Sequence, residues 1–187
     1  MTPPSLATAR ANRNLAARCA AIELLLFDVD GVLTDGVIAL DDRGVETKHF
    51  HVRDGSAIAI WRRLGKRAAI LSGRRAEAVD RRAAELGIAP VIQGAADKAG
   101  PFRALLAELE LEARQVCYVG DDLADLPVLN AVGLSACPSD AAPEVAEAVH
   151  LVTRAPGGRG AVREVVERIL KYQGAWDEHV AGLMISA

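Results

Sequence analysis

Aromatic side chains are scarce. Three Phe, two Tyr and two Trp make up 4% of the 187 residues, while hydrophobic residues of all kinds make up 51%. Ala, Val, Leu and Ile must therefore build the interior, and a chain of this length can bury a substantial core as one domain. No uninterrupted apolar run approaches the length that spans a bilayer, so no membrane partner is expected. Neither sign of charge dominates: 22 Lys and Arg stand against 25 Asp and Glu, a net charge of -3, and the Arg residues are scattered. A nucleic-acid surface needs a concentrated basic stripe, so nucleic acid is not an expected partner. Cys19, Cys117 and Cys137 are odd in number and lack a C-x-x-C spacing. That argues against a disulfide framework and a zinc site, and for reduced thiols in a cytoplasmic protein. Before Glu23 there are Arg10, Arg13 and Arg18 and no acid, a faint likeness to a transit peptide. Ser is scarce there and no secretory apolar segment is present. Residues 1–21 read as an N-terminal extension, loose over 1–6 and helical over about Ala7–Ala20.

Apolar runs alternate with helical patterns along nearly the whole chain. Buried strands are expected at Glu23–Phe27, Arg67–Leu71, Pro90–Ile92, Val116–Val119, Gly133–Ala136 and His150–Val152. They are short and bounded by Gly, Asp or Pro, as suits central strands of a parallel sheet. Helices are expected at Gly55–Leu64, Arg74–Leu86, Asp97–Leu109, Leu123–Asn130, Ala142–Ala148 and Gly160–Lys171. Asp54 can cap the first, Gly65 and Gly87 can end the first two, and Pro143 suits a first turn. The fold class is α/β: a Rossmann-like open parallel sheet with helices on both faces and right-handed crossovers. Val37–Leu40 and Val45–Val52 break the alternation and flank Asp41-Asp42-Arg43-Gly44, which has turn chemistry. Residues 37–52 read as a small β-hairpin flap, with no large cap domain. No linker, repeat or low-complexity tract divides residues 22–173, and 174–187 form a tail.

The chemistry concentrates where Leu24-Leu25-Leu26 runs into Phe27-Asp28-Val29-Asp30-Gly31. Two carboxylates stand two residues apart where a buried strand gives way to a glycine turn. Like charges repel, and their desolvation is costly unless a cation or a proton compensates. A divalent metal with a phosphate ester to attack accounts for the pair. A calcium loop does not, because Gly31 follows Asp30 at once. In open parallel sheets, ligands sit beyond the carboxyl ends of the strands. Asp28, Ser72, Gln93 and Asp121 fall at or just after expected strand ends and so gather on one rim.

On this reading Asp28 is the nucleophile and forms an aspartyl-phosphate. Asp30 protonates the leaving alcohol and later helps deprotonate the hydrolytic water. Mg²⁺, which prefers oxygen ligands, is assigned to Asp28, the backbone carbonyl of Asp30, and Asp121. Asp122 and Asp125 ligate through water or orient those waters, the alternative being that Asp121, Asp122 and Asp125 simply cap a helix. Ser72 and Gly73 make a phosphate seat at a helix N-terminus, and Lys98 offsets the charge of Asp28 and the phosphoryl group. An ordinary N-cap at Ser72 and a solvated Lys98 are the alternatives. His49 and His51 alternate on an expected strand and so share a side. They read as flap residues near the substrate, or as a metal pair that lacks a third ligand. Gly157-Gly158-Arg159-Gly160 is either a flexible turn or a helix start at which Arg159 meets an anion.

Taken together, Asp28 to Thr34, Ser72-Gly73-Arg74, Lys98 and Gly120-Asp121-Asp122 resemble the four motifs of the haloacid dehalogenase superfamily. More narrowly, Asp28 to Gly36, Arg53-Asp54-Gly55, Gly120 to Asp125 and Gly157 to Glu164 are similar to the 3-deoxy-D-manno-octulosonate 8-phosphate phosphatase family. The resemblance covers about residues 22 to 175. It implies a Rossmann-like fold, Mg²⁺ dependence, and hydrolysis of a sugar-acid phosphate in lipopolysaccharide core synthesis. It also implies a homotetramer in which the flap closes a barrel-like contact between subunits. Thr34, Arg74, Gln93 and Arg159 become substrate-side residues by the same resemblance. The family often has Thr where Ser72 stands, which keeps the hydroxyl. Only a hairpin and one helix separate Asp28 from Ser72, so something other than a cap must exclude water, a task that a neighbouring subunit could perform. The apolar end of the tail, Gly182 to Ile185, is read as reaching a neighbouring active site. The same motifs also suit a phosphatase for a sialic-acid-type 9-phosphate. A third reading is a catalytically silent module that holds an oligomer or a sugar nucleotidyltransferase.

Overall fold

The computed structural model describes residues 14–185. The expected loose end at 1–6 and the start of the expected first helix lie outside the described residues. Residues 14–20 are helical (α1). There follow β1 (Leu24–Phe27), a hairpin of β2 (Ala39–Leu40) and β3 (Glu46–Thr47), α2 (Val52–Arg63), β4 (Arg67–Ser72) and α3 (Glu77–Leu86). Next come β5 (Val91–Gln93), α4 (Ala99–Leu109), β6 (Val116–Val119), α5 (Leu126–Leu129) and β7 (Leu134–Cys137). The chain ends with α6 (Pro143–Ala148), β8 (Leu151–Val152), α7 (Ala161–Tyr172) and α8 (Ala175–Ile185).

Six strands form one sheet in the order β5-β4-β1-β6-β7-β8, and every neighbouring pair is parallel. The expected α/β fold class is what the structure has. β1 is central because its residues pair on both sides: Leu24 with Arg67 and Val116, Phe27 with Ile70 and Val119. Successive strand side chains point to opposite faces, and the continuous apolar runs are explained by a core on each face. Leu25, Phe27, Ala68, Ile70, Cys117 and Val119 enter one core with α2, α7 and α8. Leu24, Leu26, Ala69, Leu71, Val116 and Tyr118 enter the other with α4, α5 and α6. The cores are aliphatic, as the shortage of aromatics required. All three cysteines are buried and free.

Each expected strand of the large sheet is present within a residue or so of its expected ends. The helix starts are where sequence and structure part. Gly65 and Gly87 do follow α2 and α3 in left-handed backbone, and Pro143 opens α6. But α2 begins at Val52, so Asp54 lies inside its first turn rather than before it. The buried Asp54 carboxylate caps a different helix, accepting from Gly160 N at 3.0 Å and Arg163 N at 2.7 Å at the start of α7. β3 is also shorter than the expected Val45–Val52 strand, ending at Thr47. His49 and His51 therefore do not share a strand face. His51 precedes α2, with Nδ1 3.7 Å from the Asp54 carboxylate.

The hairpin turn is as the sequence reads. Asp41 accepts from Arg43 N at 2.9 Å and Val45 N at 2.8 Å, which fixes the reversal. The tail forms α8, whose Trp176 is buried and stacks at 4.7 Å under the Arg163 guanidinium. Among the described residues, no helix is long and apolar enough to cross a membrane.

Candidate active site

The carboxyl ends of β1, β4 and β6 open into a cleft of about 280 Å³. Its lining includes Asp28, Asp30, Ser72, Gly73, Arg74, Lys98, Asp121, Asp122 and Asp125. Residues separated by nearly a hundred positions meet because β1 is flanked by β4 and β6 in register. Asp28 directly follows β1, its own N–H donating to Val119 O at 3.0 Å. Lys98 stands at the N-cap position of α4 and is 3% exposed. Its Nζ lies 2.8 Å from Asp28 Oδ2 and 2.6 Å from Asp125 Oδ1. The solvated alternative for Lys98 is thereby excluded.

Asp125 is the buried hub of the floor. Its Oδ1 accepts from the Tyr118 hydroxyl at 2.5 Å and from Lys98; its Oδ2 accepts from Asp121 N at 2.9 Å and Asp122 N at 3.2 Å. With both oxygens occupied, Asp125 shapes the acidic loop and fixes Lys98 rather than turning outward. Asp122 spends one oxygen on Leu123 N at 2.8 Å, the capping alternative. Two glycines allow this packing. A Cβ on Gly120 would stand 2.6 Å from the Asp125 carboxylate, and one on Gly31, whose φ is +81°, would collide with the Asp121 carboxylate.

Asp121 is the acid left without compensation. Its Oδ1 is buried and, among the described residues, has no hydrogen-bond partner. Burial, then the charges of Asp28, Asp125 and Asp122, push its pKa up to about 7 against the opposing pull of Lys98. Burial likewise raises Asp28, with Lys98 opposing and Asp125 adding to the rise. For Lys98 burial works against the charge, but Asp28 and Asp125 outweigh it and hold the ammonium above its ordinary value. Oxygens of Asp28, Asp121 and Asp125 lie within 4.8 Å of one another. Five carboxylates and two cations line the cleft. Hard oxygen donors with an orphaned buried oxygen fit a small divalent cation, which would relieve the repulsion and admit a phosphate.

Asp30 faces the flap. Its Oδ1 pairs with Lys48, a side chain 2% exposed, and its Oδ2 lies 3.4 Å from Arg74 Nε. Glu46 completes the set, 2.8 Å from Lys48 and 2.9 Å from Arg74. Burial opposes the charge of Lys48, but bonds to Asp30 and Glu46 raise its pKa overall.

The phosphate seat differs from expectation in one respect. Ser72 ends β4 and α3 starts only at Glu77, so Ser72 and Gly73 lie on a loop and not at a helix N-terminus. The cause is pairing with the next crossover. Ser72 O and Arg74 O accept from Ala95 N and Gly94 N at 3.1 Å, which keeps residues 72–74 from coiling. Gln93 serves the same purpose, taking Ala76 N at 2.9 Å and donating to Asp80 at 2.8 Å, and it does not line the cleft. Thr34 is buried behind the cleft and ties its own loop, 3.3 Å from Val29 O and from Gly36 N. Arg159 is exposed, 3.6 Å from Asp35, and does not line the cleft. The glycines beside it are not merely flexible. Gly157 and Gly158 lie so flush on residues 31–35 that a Cβ on either would overlap that backbone, and Gly158 N donates to Val32 O at 2.9 Å.

Sequence reasoning did not single out Tyr118, Lys48, Glu46 or the remote capping by Asp54. Tyr118 carried a usable signal, a polar tip on a fully buried strand two residues before Gly120. Lys48 and Glu46 carried one too, opposite charges two apart in a hairpin beside an acidic pair.

Fold and cleft together define a hydrolase of Rossmann-like architecture, with an acidic cleft at the carboxyl end of its central strand. Residues 38–133 match the family of haloacid dehalogenase-like hydrolases. The chain is 47% identical over 156 residues to a 3-deoxy-D-manno-octulosonate 8-phosphate phosphatase of Yersinia pestis, covering 83% of each chain. The corresponding Escherichia coli K12 protein is 45% identical over 165 residues, covering 88% of each. A Moraxella catarrhalis phosphatase of that name, solved with magnesium, phosphate and a KDO molecule, superposes with a TM-score of 0.89 at 38% identity. It covers 92% of this chain and 98% of its own. The chain belongs to the haloacid dehalogenase-like hydrolases and, within them, to the 3-deoxy-D-manno-octulosonate 8-phosphate phosphatase family.

Proposed function

We propose that this protein is a Mg²⁺-dependent phosphomonoesterase that converts 3-deoxy-D-manno-octulosonate 8-phosphate to the free sugar acid and phosphate. The observation that carries the reading is the meeting of Asp28, Lys98 and Asp121 at one strand edge, in a chain so similar to phosphatases of that ester. Asp28, Asp121 and the main-chain carbonyl of Asp30 would hold the metal. Bound there, it supplies positive charge to the phosphoryl oxygens and to Asp28. Lys98 keeps Asp28 ionised and in place for in-line attack. Ser72 and the backbone at Gly73 receive the phosphoryl oxygens. Asp30 gives a proton to the departing sugar oxygen and takes one from the water that releases phosphate. Asp122 and Asp125 keep the acidic loop in shape. On the substrate side, Arg74 is the best placed of Thr34, Arg74, Gln93 and Arg159, because it lines the cleft beside Asp30.

Residues 22–173 are the phosphatase domain with the flap at 37–52, flanked by the 1–21 extension and the 174–187 tail. Val37, Ile38, Leu40 and Val45 leave the flap apolar and exposed, which supports its burial between subunits of a homotetramer. We place the enzyme in the cytoplasm, where its product feeds lipopolysaccharide core synthesis. The test is phosphate release from the eight-carbon ester, a nine-carbon sialic-acid 9-phosphate and neutral sugar phosphates, each with and without Mg²⁺. The highest kcat/KM is expected on the eight-carbon ester, with none after chelation. A preference for the nine-carbon ester would overturn the substrate assignment.

A further inference from the structure

The flap exposes Val37, Ile38, Leu40 and Val45, yet its most buried charge points at the chemistry. The Lys48 side chain is 2% exposed and pairs with Oδ1 of Asp30. A buried lysine is rare unless paired, and truncating one partner of such a pair is costly. Oδ2 of the same carboxyl is buried and has no hydrogen-bond partner among the described residues. Only the Arg74 guanidinium stands over it, at 3.4 Å on a side chain 46% exposed. The two oxygens are thus unequal: one is clamped by the flap, and the other is covered by the half-exposed Arg74 side chain, which Glu46 also holds. Glu46 makes this tolerable. It lies 2.8 Å from Lys48 and 2.9 Å from Arg74, so neither cation rests on Asp30 alone.

We propose that Lys48 is a positioning residue, holding Oδ1 of Asp30 so that Oδ2 is the oxygen that meets the leaving group. The inference rests on the phosphatase reading above. When Arg74 turns to the anionic substrate, Oδ2 is uncovered. Asp30 then gives its proton from Oδ2 to the ester oxygen as the bond from phosphorus to that oxygen breaks and the bond to Asp28 forms. It takes a proton from water as hydroxide displaces the aspartyl group. The flap therefore belongs to the proton-transfer apparatus, whatever else it contacts.

A leaving-group comparison separates this role from a structural one. A p-nitrophenolate departs with little help from an acid, whereas a sugar alkoxide needs its proton, an aid of typically 10²–10⁴-fold. In Lys48→Met, the ratio of kcat on 3-deoxy-D-manno-octulosonate 8-phosphate to kcat on p-nitrophenyl phosphate should fall at least about tenfold. Lys48→Gln keeps a donor within reach of Asp30 and should lie between that variant and wild type. Equal losses on both esters, or a ratio within about twofold of wild type in both variants, would overturn the inference and leave the phosphatase reading standing. A wild type that releases phosphate from neither ester would overturn both.

Discussion

At the scale of single residues, the site is a balance of charges that is incomplete without a cation. Lys98 neutralises Asp28 and Asp125 from within the core, so Lys98→Met leaves two buried carboxylates without their partner. A loss of about 3–5 kcal/mol in urea unfolding is expected, together with loss of turnover. Asp121 gives the opposite case. Its folded pKa of about 7 lies above the ordinary 3.8, so the folded state holds its proton more tightly than the unfolded chain does. The stability this contributes is fully present below 3.8 and is lost as pH rises through about 7. In chelator, the urea midpoint should therefore fall between about pH 4 and pH 7, and fall less steeply in Asp121→Asn. Mg²⁺ added at the upper end should raise the wild-type midpoint and leave that of the variant nearly unmoved. A parallel response in both proteins would remove Asp121 from the metal site.

At the scale of elements, the hydrolase loop after β1 is held from behind by the start of α7. Gly157 and Gly158, in the turn just before α7, press against residues 31–35, and Asp54 of α2 caps that helix. Gly158→Ala should cost clearly more stability than Gly44→Ala, although both glycines have positive φ, because only Gly158 meets a neighbouring backbone. Asp54→Ala should cost about 1–2 kcal/mol in urea unfolding, through lost capping of α7. The elements also show what the sequence could reveal. The six strands were legible because burial on both faces writes them as short unbroken apolar runs. Asp28, Lys98 and Asp121 were legible because they follow strand ends or open a helix. What escaped were bonds made across the fold. Asp54 carries the signature of a local cap, and nothing in the chain around it points to Gly160, 106 residues on. Ser72 and Gly73 resembled a helix start, and only the pairing of residues 72–74 with Gly94 and Ala95 keeps them extended. Lys48 was obscured by an overlong strand reading that drew attention to His49 and His51.

At the scale of the whole molecule, the cleft opens beside a flap with exposed Val37, Ile38, Leu40 and Val45, and the tail helix exposes Leu183 and Met184. Under the proposed tetramer, a charge placed on the flap, as in Leu40→Glu, should lower the mass measured by light scattering below that of four chains. It should also raise KM, because water exclusion then fails. An unchanged mass would remove the flap from the subunit contact. The central claim lies deeper, in one carboxylate at the end of the middle strand. The most direct measurement is Mg²⁺-dependent phosphate release from the eight-carbon ester by wild type and by Asp28→Asn, with the fold of each followed by circular dichroism. The account predicts turnover in the first, none in the second, and the same spectrum for both. Turnover at the wild-type rate in a folded Asp28→Asn protein would contradict it.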